Sequence, residues 1–354
     1  MDLDKLRKKI NKLDKQLIDT LNERTKVAME IGAFKKENGL EFYAPHREQQ
    51  VFQKVRNMNK GPVTNESLQA IYREIMSSSL HLEKPLVISY LGPEASYTNQ
   101  AAIKKFGSSL KYSPQSTIED VFMEVAHNKA DYGVVPIENT MEGAVYHTLD
   151  MFATSDLKIC AQIELPITYH LLGNSPLSEI EKIYANSQAL GLCRTWLRSN
   201  APEVHLVETK SSIEAAEKAK GKKKAAAIAN ILATDKYDLE VIAEDIQSVV
   251  RNTTRYLVLS QDYAEPSGND KTSIMFGTYD EVGSLVDVLQ TIREYDINMS
   301  KIESRPSKRK AWDYYFFVDF YGHCEDNEIK KALKEISKNS SIVKILGSYP
   351  NIDG

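Results

Sequence analysis

The sequence predicts a multidomain chain: an all-helical N-terminal unit, a two-lobed α/β unit, and a ferredoxin-like α+β unit at the C-terminal end. Three observations carry this. The hydrophobic period is helical as far as Pro85, then changes to alternating strand and helix patterns. A turn-rich segment, AEPSGND, follows at 264–270. Beyond it the order reads strand, helix, strand, strand, helix, strand, which is the ferredoxin-like arrangement. At 354 residues the chain also exceeds what one hydrophobic core usually serves.

Composition narrows the class. An apolar content of 42% with 27% charged residues fits a globular protein. The net charge of −4 gives no global attraction to nucleic acid. No apolar run approaches the roughly 18 residues of a membrane helix. MDLDKLRKK lacks the apolar stretch of a signal peptide. Cys160, Cys193 and Cys324 are scattered without metal-ligand spacing, which suits a reducing compartment. A cytoplasmic protein without membrane or nucleic-acid partners is expected.

In the first unit, Leu3, Leu6, Ile10, Leu13, Leu17, Thr20, Arg24, Val27, Ile31 and Phe34 recur at steps of three and four. This predicts one long helix, stopped at Asn38-Gly39. A second helix is predicted from Pro45 to about Met58, with proline in its first turn. A third starts near Thr64 or Asn65 as its cap and carries Leu68, Ile71, Tyr72, Ile75, Met76 and Leu80. Helices this unequal leave most of the first seam facing water, so a homodimer sharing long helices is the remedy.

From Leu86 the predicted order is a strand (LVISYLG), a helix over 97–106, a strand (YGVVPIE) and a helix from about Glu142. Strands then follow near Ile159, Ile167 and 182–184, a helix over 190–197, a strand (VHLVET) and a helix over 213–219. Strands near AAIA, LEVIAE and RYLVLS complete an α/β unit with largely parallel sheets. Lys222, Lys223 and Lys224 read as a solvated turn. In the last unit the strands are TSIMFGTY, SKIESRP, WDYYFFVDFYG and 343–346, with helices over 285–295 and 328–337.

Arg24 holds a seam position otherwise filled by aliphatic residues. A buried guanidinium without an anion is costly, so it pairs with an internal carboxylate, snorkels to solvent or binds a ligand. Arg7, Lys35 and Arg47 lie in the same unit, where Lys and Arg outnumber Asp and Glu. Such a group suits a small dianion. The spacing Leu6-Arg7-x-x-Ile10-x-x-Leu13-Asp14, Asn22-Glu23-Arg24, Gly32-x-x-Lys35 and Arg47-Glu48 resembles the all-helical chorismate mutases over residues 1–84. The resemblance implies that Arg7 reaches into the partner subunit's site to bind one chorismate carboxylate, and that Arg24 binds the other. Lys35 would donate to the breaking ether oxygen, Arg47 would lock the ligand, Glu48 would take the ring hydroxyl, and Ser79 would add a polar contact. Two positions depart from the family pattern: Ala44 replaces an acidic residue, and Glu83 stands where some relatives carry Gln. An ionised carboxylate cannot donate to the ether oxygen, so mutase activity is predicted to fall as pH rises.

In the α/β unit, three loops at strand ends carry hydroxyl and amide side chains: GPEASYT over 92–98, PIENTMEG over 136–143 and NTTRY over 252–256. Taken singly, Ser96, Thr140 and Thr254 read as helix caps or turn residues. Together with SQALGLC and NTTRYLV they resemble the prephenate dehydratases over residues 86–262. That resemblance implies catalysis by Thr254. Ser96, Asn139, Thr140, Gln188 and Arg255 would contact prephenate, with Arg255 on a carboxylate.

Residues 271–354 resemble ACT domains of the dehydratase type, on Gly283-Ser284-Leu285-Val286 and Glu303-Ser304-Arg305-Pro306. The resemblance implies L-phenylalanine bound between two such domains, with Asn298 and Met299 near it, and feedback inhibition of the dehydratase. No metal or organic cofactor is implied, and the assembly is a homodimer or homotetramer. Two other readings stay open: a dehydratase whose helical unit only dimerises, and a phenylalanine-sensing regulator without turnover.

Overall fold

The structure, a computed structural model, describes residues 2–248, 252–308 and 313–352. Its helices are α1 (Leu3–Glu37), α2 (Pro45–Met58), α3 (Asn65–Glu83), α4 (Tyr97–Phe106), α5 (Ile118–Ala126), α6 (Tyr146–Thr154), α7 (Ser187–Leu192), α8 (Arg194–Asn200), α9 (Ser212–Ala219), α10 (Ala233–Tyr237), α11 (Ser284–Glu294) and α12 (Asn327–Lys338). Its strands begin with β1 (Val87–Leu91), β2 (Lys111–Gln115), β3 (Tyr132–Asn139), β4 (Gly143–Ala144), β5 (Lys158–Pro166), β6 (His170–Gly173), β7 (Lys182–Asn186) and β8 (His205–Thr209). They continue with β9 (Ala225–Ala229), β10 (Glu240–Ala243), β11 (Thr253–Ser260), β12 (Asp270–Gly277), β13 (Met299–Pro306), β14 (Tyr314–Tyr321) and β15 (Ile342–Pro350).

The three N-terminal helices form where expected. Thr64 caps α3 by accepting from Ser67 N, and Pro45 opens α2. Ala44 occupies the N-cap of α2 and gives it no side-chain hydrogen bond. The α1 seam is exposed in the protomer: Leu3, Leu6, Ile10, Leu13, Leu17 and Phe34 are each at least 42% accessible. Gly32 lets α3 come close, because a Cβ there would stand 2.8 Å from the Cβ of Glu83.

The α/β unit has two sheets. One runs β2-β1-β3-β11-β5 with β4 paired to β3; the other runs β10-β6-β9-β7-β8. In the first, β11 is antiparallel to both β3 and β5, while β1, β2 and β3 are parallel. In the second, β6 is antiparallel to both neighbours and β7, β8 and β9 are parallel. The chain crosses between the lobes after β5 and again before β11, which places the start of β11 at their junction.

Four expectations are corrected here, and one pair of elements is added. The sheets are mixed and not largely parallel: among the described residues, five of the nine strand pairings in the α/β unit are antiparallel. No helix starts at Glu142. Asn139 Oδ1 accepts from Met141 N and Glu142 N, which folds the chain into a turn, and Gly143 takes a left-handed φ of 80°. The strand therefore turns back as β4, and α6 begins at Tyr146. The pair β2 and α5 was not anticipated: β2 is a polar edge strand containing Pro114, and α5 is short, although Thr117 and Asp120 form a capping box. The single helix over 190–197 is two helices that meet at Cys193. Ile167 lies between β5 and β6 instead of in a strand.

The last unit forms the expected βαββαβ sheet in the order β13-β14-β12-β15. Trp312, expected at the start of β14, lies outside the described residues. The sheet packs against the α/β unit through a shared core that includes Phe122, Phe152, Ile159, Met275, Phe317, Leu346 and Tyr349. Gly347 permits the closest approach, since a Cβ there would lie 2.2 Å from the Ile159 carbonyl oxygen.

Candidate functional site

The helical unit gathers its charges at one cavity of about 740 Å³, within the range of small-ligand pockets. Arg24, Lys35, Arg47, Glu48, Ser79 and Glu83 all line it, brought from three helices. Arg24 Nη1 donates to Ser79 Oγ at 2.9 Å, so the seam cation meets a hydroxyl on α3 and not an internal carboxylate. Lys35 Nζ donates to the Phe42 carbonyl at 2.7 Å and stands 4.0 Å from Glu83 Oε2. Burial pushes the Glu83 carboxyl above its ordinary range, with Lys35 and Arg24 pulling the other way. Glu83 Oε2 is buried without a hydrogen-bond partner. Arg47 bonds Gln50 at 3.0 Å on the rim.

Arg7 does not reach this cavity within the protomer. It stands exposed near the start of α1, 3.7 Å from Asp4.

The far wall comes from the α/β unit: Lys105, Phe106, Tyr132 and Cys160 line the same cavity. Tyr43 is buried between the two units, its ring 4.9 Å from Phe106 and 5.3 Å from Tyr132. Glu48 forms an ion pair with Lys105 at 2.6 Å. Sequence reasoning missed this wall because its residues carry no local signal; the docking of the two units creates it.

At the junction of the α/β lobes, β3 and β11 pair so that Asn139 lies opposite Thr254. Asn139 Nδ2 donates to Thr254 Oγ1 and to Asn252 Oδ1, both at 2.8 Å. Thr254 is 8% exposed. Because its oxygen accepts from Asn139, its own proton is left to donate elsewhere. Tyr256, two residues on, shares this face. Burial pushes its hydroxyl well up, and the hydroxyls of Thr254 and Thr98 act in the opposite direction. Tyr169, just before β6, donates to Gln188 Oε1 at 3.2 Å and packs edge-on against Tyr97 at 5.8 Å, so Gln188 on α7 is tied to the entry of β6 and to α4. Thr140 Oγ1 accepts from Thr253 N at 3.0 Å and pins the turn to β11. Ser96 caps α4 by accepting from Asn99 N at 3.2 Å, with its own proton given to the Leu91 carbonyl.

Arg255 departs from expectation. Strand alternation sends it to the face opposite Thr254. There its guanidinium pairs with Asp319 on β14 and lies 3.9 Å from Glu138. It is engaged with the C-terminal unit instead of the lobe junction.

In that C-terminal unit, Gly283, Ser284, Leu285 and Val286 line a cavity of about 330 Å³ together with Tyr279, Tyr314 and Phe316. Asn298 precedes β13, whose first residue is Met299. Along β13 the side chains alternate: Ser304 and Pro306 are exposed, while Glu303 and Arg305 are half-buried. Arg305 is not open to a ligand. It binds Asp150 on α6 through two hydrogen bonds of 2.9 and 3.0 Å, with its guanidinium 4.4 Å from the Tyr146 ring centre. Among the described residues no group of three or more His, Cys, Asp or Glu could hold a metal ion. None of the described helices is long and apolar enough to cross a membrane.

Residues 6–84 match the type II chorismate mutase family, 88–264 the prephenate dehydratase family and 272–338 the ACT domain family. The bifunctional chorismate mutase/prephenate dehydratase of Aquifex aeolicus is 47% identical over 99% of this chain and 98% of its own length. That of Pseudomonas aeruginosa is 40% identical over 98% of this chain and 96% of its own. The crystal structure of a prephenate dehydratase from Arthrobacter aurescens in complex with L-Phe superposes with a TM-score of 0.70 at 30% identity. It covers 76% of this chain and 91% of that one.

Proposed function

The chain belongs to the bifunctional chorismate mutase/prephenate dehydratase family, and from that premise we propose how its residues divide the work. Residues 1–84 rearrange chorismate to prephenate, 86–262 convert prephenate to phenylpyruvate, and 271–354 sense L-phenylalanine. The observation that carries the reading is the convergence of Arg24, Lys35, Arg47, Glu48, Ser79 and Glu83 on one cavity.

The first reaction is pericyclic, so it needs no nucleophile; restraint and charge stabilisation suffice. Arg24 holds one carboxylate, with Ser79 fixing the guanidinium. Arg7 of a second copy supplies the other cation. The exposed α1 seam supports that dimer, because a long apolar helix face needs cover. Lys35 and a protonated Glu83 face the ether oxygen as negative charge develops on it, while Arg47 and Glu48 secure the ring.

In the second reaction the bond from the ring to its carboxylate breaks and CO₂ leaves. Its electron pair moves into the ring, which becomes aromatic, and the ring hydroxyl departs as water after receiving a proton. Thr254 donates a hydrogen bond to that leaving oxygen, since Asn139 already occupies its acceptor side; the proton consumed is drawn from water through this bond, so Thr254 ends as the hydroxyl it began as. Gln188, Asn139 and Thr140 hold the polar substrate, with Ser96 positioning the start of α4. The protein works in the cytoplasm; three buried free thiols support a reducing compartment.

The sensor reading places L-phenylalanine at the cavity of Gly283, Ser284, Leu285 and Val286, with Asn298, Met299, Glu303, Ser304 and Pro306 of a neighbouring ACT domain. The L-Phe complex of the Arthrobacter aurescens relative supports it. Following prephenate dehydration during an L-phenylalanine titration tests it. A saturable loss of rate is expected; a rate indifferent to millimolar L-phenylalanine rejects the sensor.

A further inference from the structure

The two carboxylate oxygens of Glu48 are not equivalent. Oε2 accepts from Lys105 Nζ at 2.6 Å and from the Tyr43 hydroxyl at 3.0 Å. Oε1 has no hydrogen-bond partner among the described residues. Glu48 and Lys105 both line the 740 Å³ cavity, with side chains only 13% and 18% exposed. The lysine is foreign to the helical unit. It sits in the last turn of α4, whose first residues, Tyr97 and Thr98, belong to the lobe junction of the α/β unit. One helix thus reaches from the dehydratase site to the wall of the mutase cavity.

A glutamate in a cavity rich in cations has several places to go. Lys35 and Arg47 line the same space, and a carboxylate drawn to either would compete with the ligand's own anions. Two donors on one oxygen, one of them charged, fix the carboxylate and leave the other oxygen free to accept. The Tyr43 ring lies 5.9 Å from Lys105 Nζ and is wedged against Phe106 and Tyr132. One donor thus belongs to the α/β unit and the other is held by packing against it.

We propose that Lys105 is a positioning residue for the mutase reaction, supplied by the dehydratase domain. It holds Glu48 Oε2 so that Oε1 meets the ring hydroxyl of chorismate. The inference rests on the reading of Glu48 as the hydroxyl acceptor.

The test uses the full chain with Lys105→Met, Lys105→Arg, Glu48→Gln and the Met/Gln double variant. A hydroxyl contact made in both ground and transition states is lost as binding, so Lys105→Met should raise the chorismate KM about tenfold and leave kcat within about threefold. Dehydration of added prephenate should not change. Lys105→Arg keeps the charge and should restore KM to within about threefold. Because the lysine acts through Glu48, adding Lys105→Met to Glu48→Gln should cost nothing further. If Glu48→Gln leaves KM unchanged, the reading of Glu48 fails and the inference with it. If Glu48→Gln raises KM while Lys105→Met does not, the positioning role alone is overturned. A Lys105→Met protein that loses both activities and melts early would make the pair a structural staple, which also overturns it.

Discussion

Arg255 and Asp319 form a buried ion pair that ties the strand carrying Thr254 to the sheet of the ACT domain. Their side chains are 13% and 9% exposed, and Ser273 Oγ donates to the same carboxylate at 2.6 Å. Beside them Lys301 pairs with Glu138 at 2.7 Å, next in sequence to Asn139. Removing one partner of such a pair leaves the other charge uncompensated. Arg255→Met should cost about 3–5 kcal/mol of unfolding free energy near pH 7, read by chemical denaturation. Burial raises the Asp319 carboxyl, but Arg255 and Ser273 outweigh it and hold it below its usual range. A depressed carboxyl stabilises above its unfolded pKa of about 4 and loses that contribution as pH falls. The gap between wild type and Arg255→Met should therefore be full above pH ~5 and shrink toward pH ~2.

Thr254→Ala should abolish dehydration of prephenate and leave the mutase rate intact, because the two sites share no residue. Assaying each reaction with its own substrate checks this. Retained dehydration removes Thr254 from the mechanism. Asn139→Ala should weaken dehydration by about a hundred- to a thousandfold through loss of the bond to Thr254 Oγ1, in the range of one charge-stabilising donor.

A protonated Glu83 acting as donor would make the mutase pH-sensitive. Its carboxyl is raised by burial, against Lys35 and Arg24, so its neutral, donating form persists above the ordinary range. The mutase kcat/KM should fall as pH rises from about 5 to 8 in wild type, while Glu83→Gln stays level. Equal, level profiles in both would exclude Glu83 as the donor.

A mutase site completed by Arg7 of a second copy, as proposed, predicts complementation. Arg7→Ala and Arg24→Ala should each be nearly inactive as mutases. Random re-association of the two gives mixed dimers in half the population, each with one intact site, so about a quarter of wild-type activity should return. No recovery would place Arg7 outside the partner's site.

Much of this was legible in the sequence, for local reasons. Pro45 and Thr64 mark helix starts because they act within one turn, and the period change at Pro85 follows from side-chain spacing alone. Arg255 lies on the face opposite Thr254, paired with Asp319, and the sequence carried a signal for this: neighbours on a strand point to opposite faces. The turn at Asn139–Gly143 was misread as a helix start because Asn and Gly signal both. The Asn139–Thr254 bond spans 115 positions and needs β3 and β11 to pair in register. Lys105, Tyr132 and Cys160 join the mutase cavity only because two units dock, and no periodicity within either unit records that.

The most direct test of the whole account is the fate of chorismate incubated with the purified full chain at about pH 5 and pH 8, with prephenate and phenylpyruvate both quantified. Chorismate should disappear, faster at the lower pH relative to Glu83→Gln, and phenylpyruvate should accumulate. Chorismate left untouched at both values would contradict it, and would reduce the helical unit to a dimerisation element beside a dehydratase.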